Sequence, residues 1–334
     1  MELIIKPTEI CNFSCTFCSS TGLVSDKASL LSHEKIFEFL ERFPETSTII
    51  INGGDPLVLK PEYYWKIIEY LDSKNMKTSL SFTSNLWDFF KKPDKWKSLF
   101  LNSRVGVTTS FNYGNTRQIR PGVVFTESAF WDVSNLFLEE IGYRPDFISV
   151  ITEENEDTAI DNVLLAKKMN VECKLNYAMA SGRESKSYQL SKIYQIYLKI
   201  VDLGLENWEF NTKQMLRRLQ GTNTVCPQNR NCDAGIRCLQ PEGDYYSCGA
   251  FGDDKRYGID FESEMKSTVV DLPLRKDHSI AMLKDECLTC PMFSICNGCK
   301  KTISDMKHSD MVEDHCSLMK TLAPQILKLN GINQ

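Results

Sequence analysis

Three cysteines, Cys11, Cys15 and Cys18, stand within one short stretch, CNFSCTFC. Thiols grouped this closely pair as disulfides, hold zinc, or carry an iron–sulfur cluster. The loop contains no His or Asp to complete a tetrahedral zinc site. A 4Fe–4S cluster takes four cysteine ligands when fully held, so three would leave one iron open. A second group lies towards the other end: Cys226-x5-Cys232, Cys248, Cys287-x2-Cys290-x5-Cys296-x2-Cys299 and Cys316. That set exceeds what one metal needs and suits either paired zinc sites or clusters.

Composition removes the disulfide option. The 334 residues are 42% hydrophobic and 25% charged, enough to bury a substantial core and to fit one large domain or two modest ones. The opening MELIIKPTEI lacks the apolar core and small-residue cleavage site of a signal peptide, so the thiols are expected to be reduced and the protein cytoplasmic. No apolar run reaches membrane-span length. A net charge of −5 gives no electrostatic reason to expect a polyanion partner, and the short basic stretch KKPDKWK reads as a solvated helix start.

Between the two cysteine groups the sequence alternates. Runs of β-branched and apolar residues predict strands at Leu3–Lys6, Thr48–Asn52, Thr78–Thr83, Arg104–Ser110, Phe147–Thr152 and Val171–Ala178. Helical periodicity marks HEKIFEFLERF, PEYYWKIIEYLDSK, PDKWKSLF, ESAFWDVSNLFLEEIG and EDTAIDNVLLAKKM. Strand–helix alternation predicts an α/β fold with a parallel sheet, doubly wound or curved into a partial barrel. Either way, chemistry belongs at the carboxyl ends of the strands. The cysteine loop follows the first strand, and Gly53-Gly54-Asp55-Pro56 follows the second.

The loop Cys11-x3-Cys15-x2-Cys18, with Phe17 before its third cysteine, resembles the signature of radical S-adenosylmethionine (SAM) enzymes. The resemblance implies a partial (β/α)6 TIM-type barrel and a 4Fe–4S cluster whose open iron takes the amino and carboxylate groups of SAM. SAM is then cleaved reductively to a 5′-deoxyadenosyl radical, the cofactor supplying the hard chemistry. INGGDPL resembles the family's GGEP motif, placing Gly53, Gly54 and Asp55 at the SAM ammonium, with Asp55 one methylene shorter than the usual Glu. SFTSN contributes Ser84 and Asn85. VTTSFNYGNTRQIRPG resembles the end of strand four, implying Ser110 and Arg120 as SAM contacts, with Asn112 where Asp is usual. SGRES implies Gly182 and Arg183 near the adenosine.

The C-terminal cysteines are similar to the SPASM extension of such enzymes, which holds two auxiliary 4Fe–4S clusters, three clusters in all. The resemblance assigns Cys226, Cys232, Cys248 and Cys299 to auxiliary cluster one, and Cys287, Cys290, Cys296 and Cys316 to cluster two. It departs from the pattern in having two residues, not three, before Cys299. It divides the chain into a barrel at 1–185, a helical connection at 186–225, the cysteine-rich domain at 226–316 and a closing helix at 317–334. Cys173 reads as a small buried hydrophobe. Cys238 reads as structural, or else as a catalytic thiol that donates a proton or hydrogen to substrate. His315, beside Cys316, reads as support for a ligand.

The implied function is hydrogen abstraction from a peptide or protein, as in ribosomal-peptide maturases, with electrons from a flavodoxin- or ferredoxin-type reductant. Gly249 stands where sulfatase maturases place a basic aspartate, which argues against that activity. The chain starts directly at strand one, so leader recognition is expected to need a separate protein or another surface. Radical modification of a small molecule, sugar, nucleoside or nucleic-acid base is the second reading, and a zinc-stabilised module without catalysis the third.

Overall fold

Strand β1 (Glu2–Ile5) pairs in parallel with β2 (Thr48–Ile51), and the parallel series continues through β3 (Ser79–Thr83), β4 (Val105–Ser110), β7 (Phe147–Ile151) and β8 (Cys173–Tyr177). The structure, a computed structural model, describes residues 1–20, 29–184, 188–221, 235–267, 289–296, 301 and 312–331. The six strands follow one another across the sheet in chain order. A doubly wound sheet reverses order at a switch point, so the topology is that of the partial barrel. The sheet stays open. A hairpin, β5 (Gln118–Arg120) and β6 (Val123–Val124), rises from the loop after β4.

The helices between the strands form for local reasons. Helix α1 (His33–Arg42) starts at Ser32, whose side chain accepts from the Lys35 N–H, and buries Ile36, Phe39 and Leu40. Helix α2 (Pro61–Ser73) has its proline in the first turn and buries Tyr64, Ile67, Ile68 and Leu71. Helices α3 (Trp87–Lys91) and α4 (Pro93–Phe100) precede β4, and α5 (Glu127–Ile141) ends on Gly142 at φ 99°. Helix α6 (Ala159–Met169) precedes β8. Along the strands burial alternates, as in the TIII of β2, where Ile49 and Ile51 are fully buried under helices and Thr48 and Ile50 only partly. This sheet-and-helix cluster is the core.

Beyond the barrel come α7 (Leu190–Asp202) and α8 (Phe210–Leu219). Strand β9 (Ile236–Leu239) then adds in parallel to the outer edge of β1, and β10 (Tyr245–Tyr246) pairs antiparallel to β9. The cysteine-rich region therefore extends the barrel's own sheet. Short helices α9 (Gly249–Asp254), α10 (Phe261–Lys266) and α11 (Phe293–Cys296) follow. A buried pair, Arg237 Nη2 to Glu264 Oε1 at 2.8 Å, ties α10 to β9. The closing helix α12 (Val312–Lys328) packs on α7 and begins earlier than the sequence suggests, so Cys316 lies inside it. Among the described residues no helix is long and apolar enough to cross a membrane.

Candidate active site

The cysteine loop leaves β1 at Lys6 and is fastened to the mouth of the barrel from three sides. From the β4–β5 connection, the Gln118 carbonyl accepts from Ser14 N–H (2.7 Å) and the Thr116 carbonyl from Thr16 N–H (2.9 Å). From the end of β2, Gly54 N–H donates to the Thr8 carbonyl (3.0 Å) and Asp55 N–H to that of Ile10 (2.9 Å). From the end of β8, Arg183 N–H donates to the Cys18 carbonyl (2.9 Å) and its Nη1 to that of Cys15 (3.2 Å).

The glycines make this fastening possible. A Cβ on Gly54 would lie 2.0 Å from the Ile10 carbonyl oxygen, and one on Gly53, at φ +123°, 2.4 Å from that of Thr8. A Cβ on Gly182, at φ +63°, would lie 2.4 Å from the Cys18 carbonyl oxygen. All three therefore admit the chain's own backbone at the cysteine loop, where the resemblance had placed a ligand. Asp55 is likewise turned inward. Its carboxylate accepts from Leu57 N–H (2.9 Å), Ser84 Oγ (3.0 Å) and Asn85 N–H (2.8 Å), locking the end of β2 to that of β3. Burial pushes its pKa up to about 6 against the pull of those donors. Asn85 continues the contact, donating from Nδ2 to Asn12 Oδ1 at 2.7 Å.

The three thiols are partly buried. Phe13 N–H donates to Cys11 Sγ at 3.3 Å. Burial, and then the Asp55 carboxylate, push the Cys11 thiol well above its usual range; burial also raises that of Cys18. Such thiols ionise when a metal cation compensates them. Facing them is Arg117, 5% exposed, whose guanidinium lies 5.2 Å from the centroid of the Phe17 ring. Its Nη1 donates to Ser110 Oγ (2.9 Å) and its Nε to Asn112 Oδ1 (3.0 Å). Burial lowers its pKa and the three cysteines oppose that. Arg120, by contrast, is exposed on β5. Arg117, three residues before Arg120, is thus the arginine buried beside the cysteine loop, and the chain turns into the hairpin after it. The set fits the implied group: clustered thiols, hydrogen bonds to sulfur, and a buried cation.

Above the loop opens a cavity of about 380 Å³. Its lining includes Phe17 and Cys18 of the cysteine loop, Cys248 and Gly249 of the C-terminal region, and Lys6, Asn52, Lys174, Asn176 and Asp253. Asp253, on α9, forms an ion pair with Lys6 and accepts from Ser19 Oγ at 2.7 Å. Burial lowers the Lys6 pKa. None of the five was singled out from sequence, although alternation along β8 does place Lys174 and Asn176 on one face.

Among the described residues no three His, Cys, Asp or Glu side chains gather to hold a single metal ion. Cys296 Sγ lies 3.5 Å from Nε2 of His315, which is buried and pushed down to about 4. Cys290 and Cys316 are partly buried, while Cys226, Cys232, Cys287 and Cys299 lie outside the described residues. Cys238 is fully buried with Tyr246 and Phe251, its sulfur 3.4 Å from Gln240 Nε2 and its thiol pushed up to about 11 by burial. Cys173 is also fully buried.

The family model described as the radical SAM superfamily matches residues 5–182. An uncharacterized protein of Archaeoglobus fulgidus is 22% identical, covering 88% of this chain and 72% of its own length. The GTP 3′,8-cyclase of Mannheimia succiniciproducens is 27% identical over 30% of this chain and 31% of its own. Among solved structures, native anSMEcpe with bound AdoMet and Kp18Cys peptide superposes with a TM-score of 0.70 at 17% identity, covering 99% of each chain. Streptococcus suis SuiB bound to its precursor peptide SuiA gives 0.61 at 15% identity, covering 89% of this chain and 71% of that one. At these identities the structural likeness is one of fold.

Proposed function

The matched model spans more than half of the chain, so the protein belongs to the radical SAM superfamily, and we propose that it abstracts a hydrogen atom from a peptide or protein substrate. Cys11, Cys15 and Cys18 would hold a 4Fe–4S cluster, which when bound would supply the one-electron chemistry for cleaving SAM. Arg117 and Ser110 offer donors for the SAM carboxylate, and Phe17 an apolar ring beneath them. The fastened loop holds the thiols in place without help from substrate.

The observation that carries the substrate reading is the shared cavity. Cys18 of the barrel and Cys248 of the C-terminal region line the same space. A substrate there sits between the radical source and a thiol proposed to bind auxiliary cluster one, with Cys226, Cys232 and Cys299. Cys287, Cys290, Cys296 and Cys316 would hold the second cluster in a SPASM-type region at 226–316, following the barrel and its helical connection. An auxiliary cluster held by those thiols would supply an acceptor for one electron, and removal of a hydrogen atom and that electron from substrate would leave one proton to be taken up. Among the described residues Asp253 is the carboxylate in the cavity lining, and Oδ2 can accept that proton while Lys6 stays paired at Oδ1. The starting electron comes from a flavodoxin- or ferredoxin-type donor, and a separate leader-binding protein would present the peptide.

Two solved relatives of the same fold bind peptides, which supports this reading; the partial match to a GTP cyclase favours a nucleotide instead. Isotope transfer separates them. Anaerobic enzyme with SAM, reductant and a deuterated peptide encoded beside its gene should yield deuterated 5′-deoxyadenosine and a peptide lighter by two hydrogens. Deuterium arriving from a nucleotide and from no peptide would overturn the peptide reading.

A further inference from the structure

Strand β8 reads Cys-Lys-Leu-Asn-Tyr; Cys173 and Leu175 are fully buried, while Lys174 and Asn176 line the cavity. The charged lining comprises Lys6, Lys174, Lys301 and Asp253. Asp253 is committed to Lys6. Among the described residues the Lys174 ammonium meets no carboxylate; its neighbour is the Phe210 ring, 5.0 Å to the centroid. In the same cavity lining, Asn52 Oδ1 is buried and makes no hydrogen bond in the described structure. An unpartnered buried amide oxygen costs free energy until a ligand meets it, and the partly exposed Lys174 ammonium stands in the same lining without a carboxylate.

We infer that the cavity receives a carboxylate of the substrate peptide on Lys174, with Asn176 and Asn52 hydrogen-bonding the adjoining peptide groups. This rests on the peptide reading above and names what that peptide must carry. One ammonium balances one negative charge, whereas a phosphate dianion calls for a denser set of donors. Asn52 Oδ1 takes a peptide N–H, and the Asn176 amide can donate to a peptide carbonyl. The carboxylate is either an acidic side chain or the C-terminus of the peptide.

The test uses the full chain, iron-reconstituted and with SAM present, and three probes: acetyl-Gly-Glu-Gly-amide, acetyl-Gly-Gln-Gly-amide and acetyl-Gly-Gly-Gly with a free C-terminus. Binding is read by saturation-transfer NMR. One of the two charged probes should bind at least about tenfold tighter than the Gln probe, by a margin that shrinks with added salt. Which one does so identifies the source of the carboxylate. Lys174→Met should erase the margin and Lys174→Arg keep it. Equal binding of all three probes by wild-type protein overturns the inference, as does a margin that survives in folded Lys174→Met, or inorganic phosphate displacing the favoured probe at lower concentration than acetate. Should Lys174→Met fail to fold, the wild-type comparison and its salt dependence still decide. Cleavage of SAM by wild-type protein is measured alongside: its absence strikes the proposed function, while its presence with equal probe binding strikes only this inference.

Discussion

The loop of Cys11, Cys15 and Cys18 is held from three sides by backbone hydrogen bonds, whereas Cys248, Cys296 and Cys316 are placed by helices. Cys248 directly precedes the six-residue α9 and Cys296 ends the four-residue α11, helices too short to persist alone. The first site is organised by the barrel itself and offers its thiols before any metal arrives. At the second, bound metal would contribute to the local fold, as metal binding does wherever a site is not preformed.

The largest expected effect comes from glycines in the two regions. Gly54→Ala drives a Cβ into the Ile10 carbonyl, whereas on Gly249 it would meet, among the described residues, the Ile4 side chain at 3.5 Å or more. Gly54→Ala should cost about 3–5 kcal/mol of stability and abolish SAM cleavage, while Gly249→Ala should change stability by less than about 0.5 kcal/mol. Chemical denaturation of both variants checks this; equal effects would remove the contrast.

Next comes Asp55, which pins the loop from below. Its folded pKa of about 6 lies above the unfolded carboxyl value of 3.8. Between those pH values the folded state binds more protons than the unfolded, so stability falls as pH rises through that window. Relative to Asp55→Asn, wild-type protein should lose about 2 kcal/mol between pH 4 and 6. A difference that stays constant would show that Asp55 ionises normally and that burial does not govern it.

Removing iron by chelation should raise amide exchange in α9 and α11 by an amount worth about 2 kcal/mol, while Ser14, Thr16 and Gly54 stay protected. Uniform exchange across both regions would erase the distinction. The smallest effect separates two arginines: Arg117→Met should weaken SAM binding about tenfold, and Arg120→Met should leave it unchanged. The reverse order would restore Arg120 to the site.

The barrel was legible because its signals are local. Alternating strands such as TIII and capped helices such as that begun by Ser32 carry their own pattern. The cysteine loop could be read for the same reason. Choosing Arg117 over Arg120 was not possible, since it depends on where a two-strand hairpin turns away. The pairing of β9 with β1 joins residues far apart in sequence and leaves no local trace. Asp253 meets Lys6 and Ser19 only through that pairing, so the cavity wall it forms was invisible too.

The central claim is that one cysteine loop is left open for SAM. Anaerobically purified protein, reduced in the presence of SAM, should release 5′-deoxyadenosine and carry about twelve irons, the content of three four-iron clusters. Replacing Cys11, Cys15 and Cys18 together by Ala should abolish that release and leave about eight irons. Release that persists in the triple variant, or zinc in place of iron in the wild-type protein, would contradict the account.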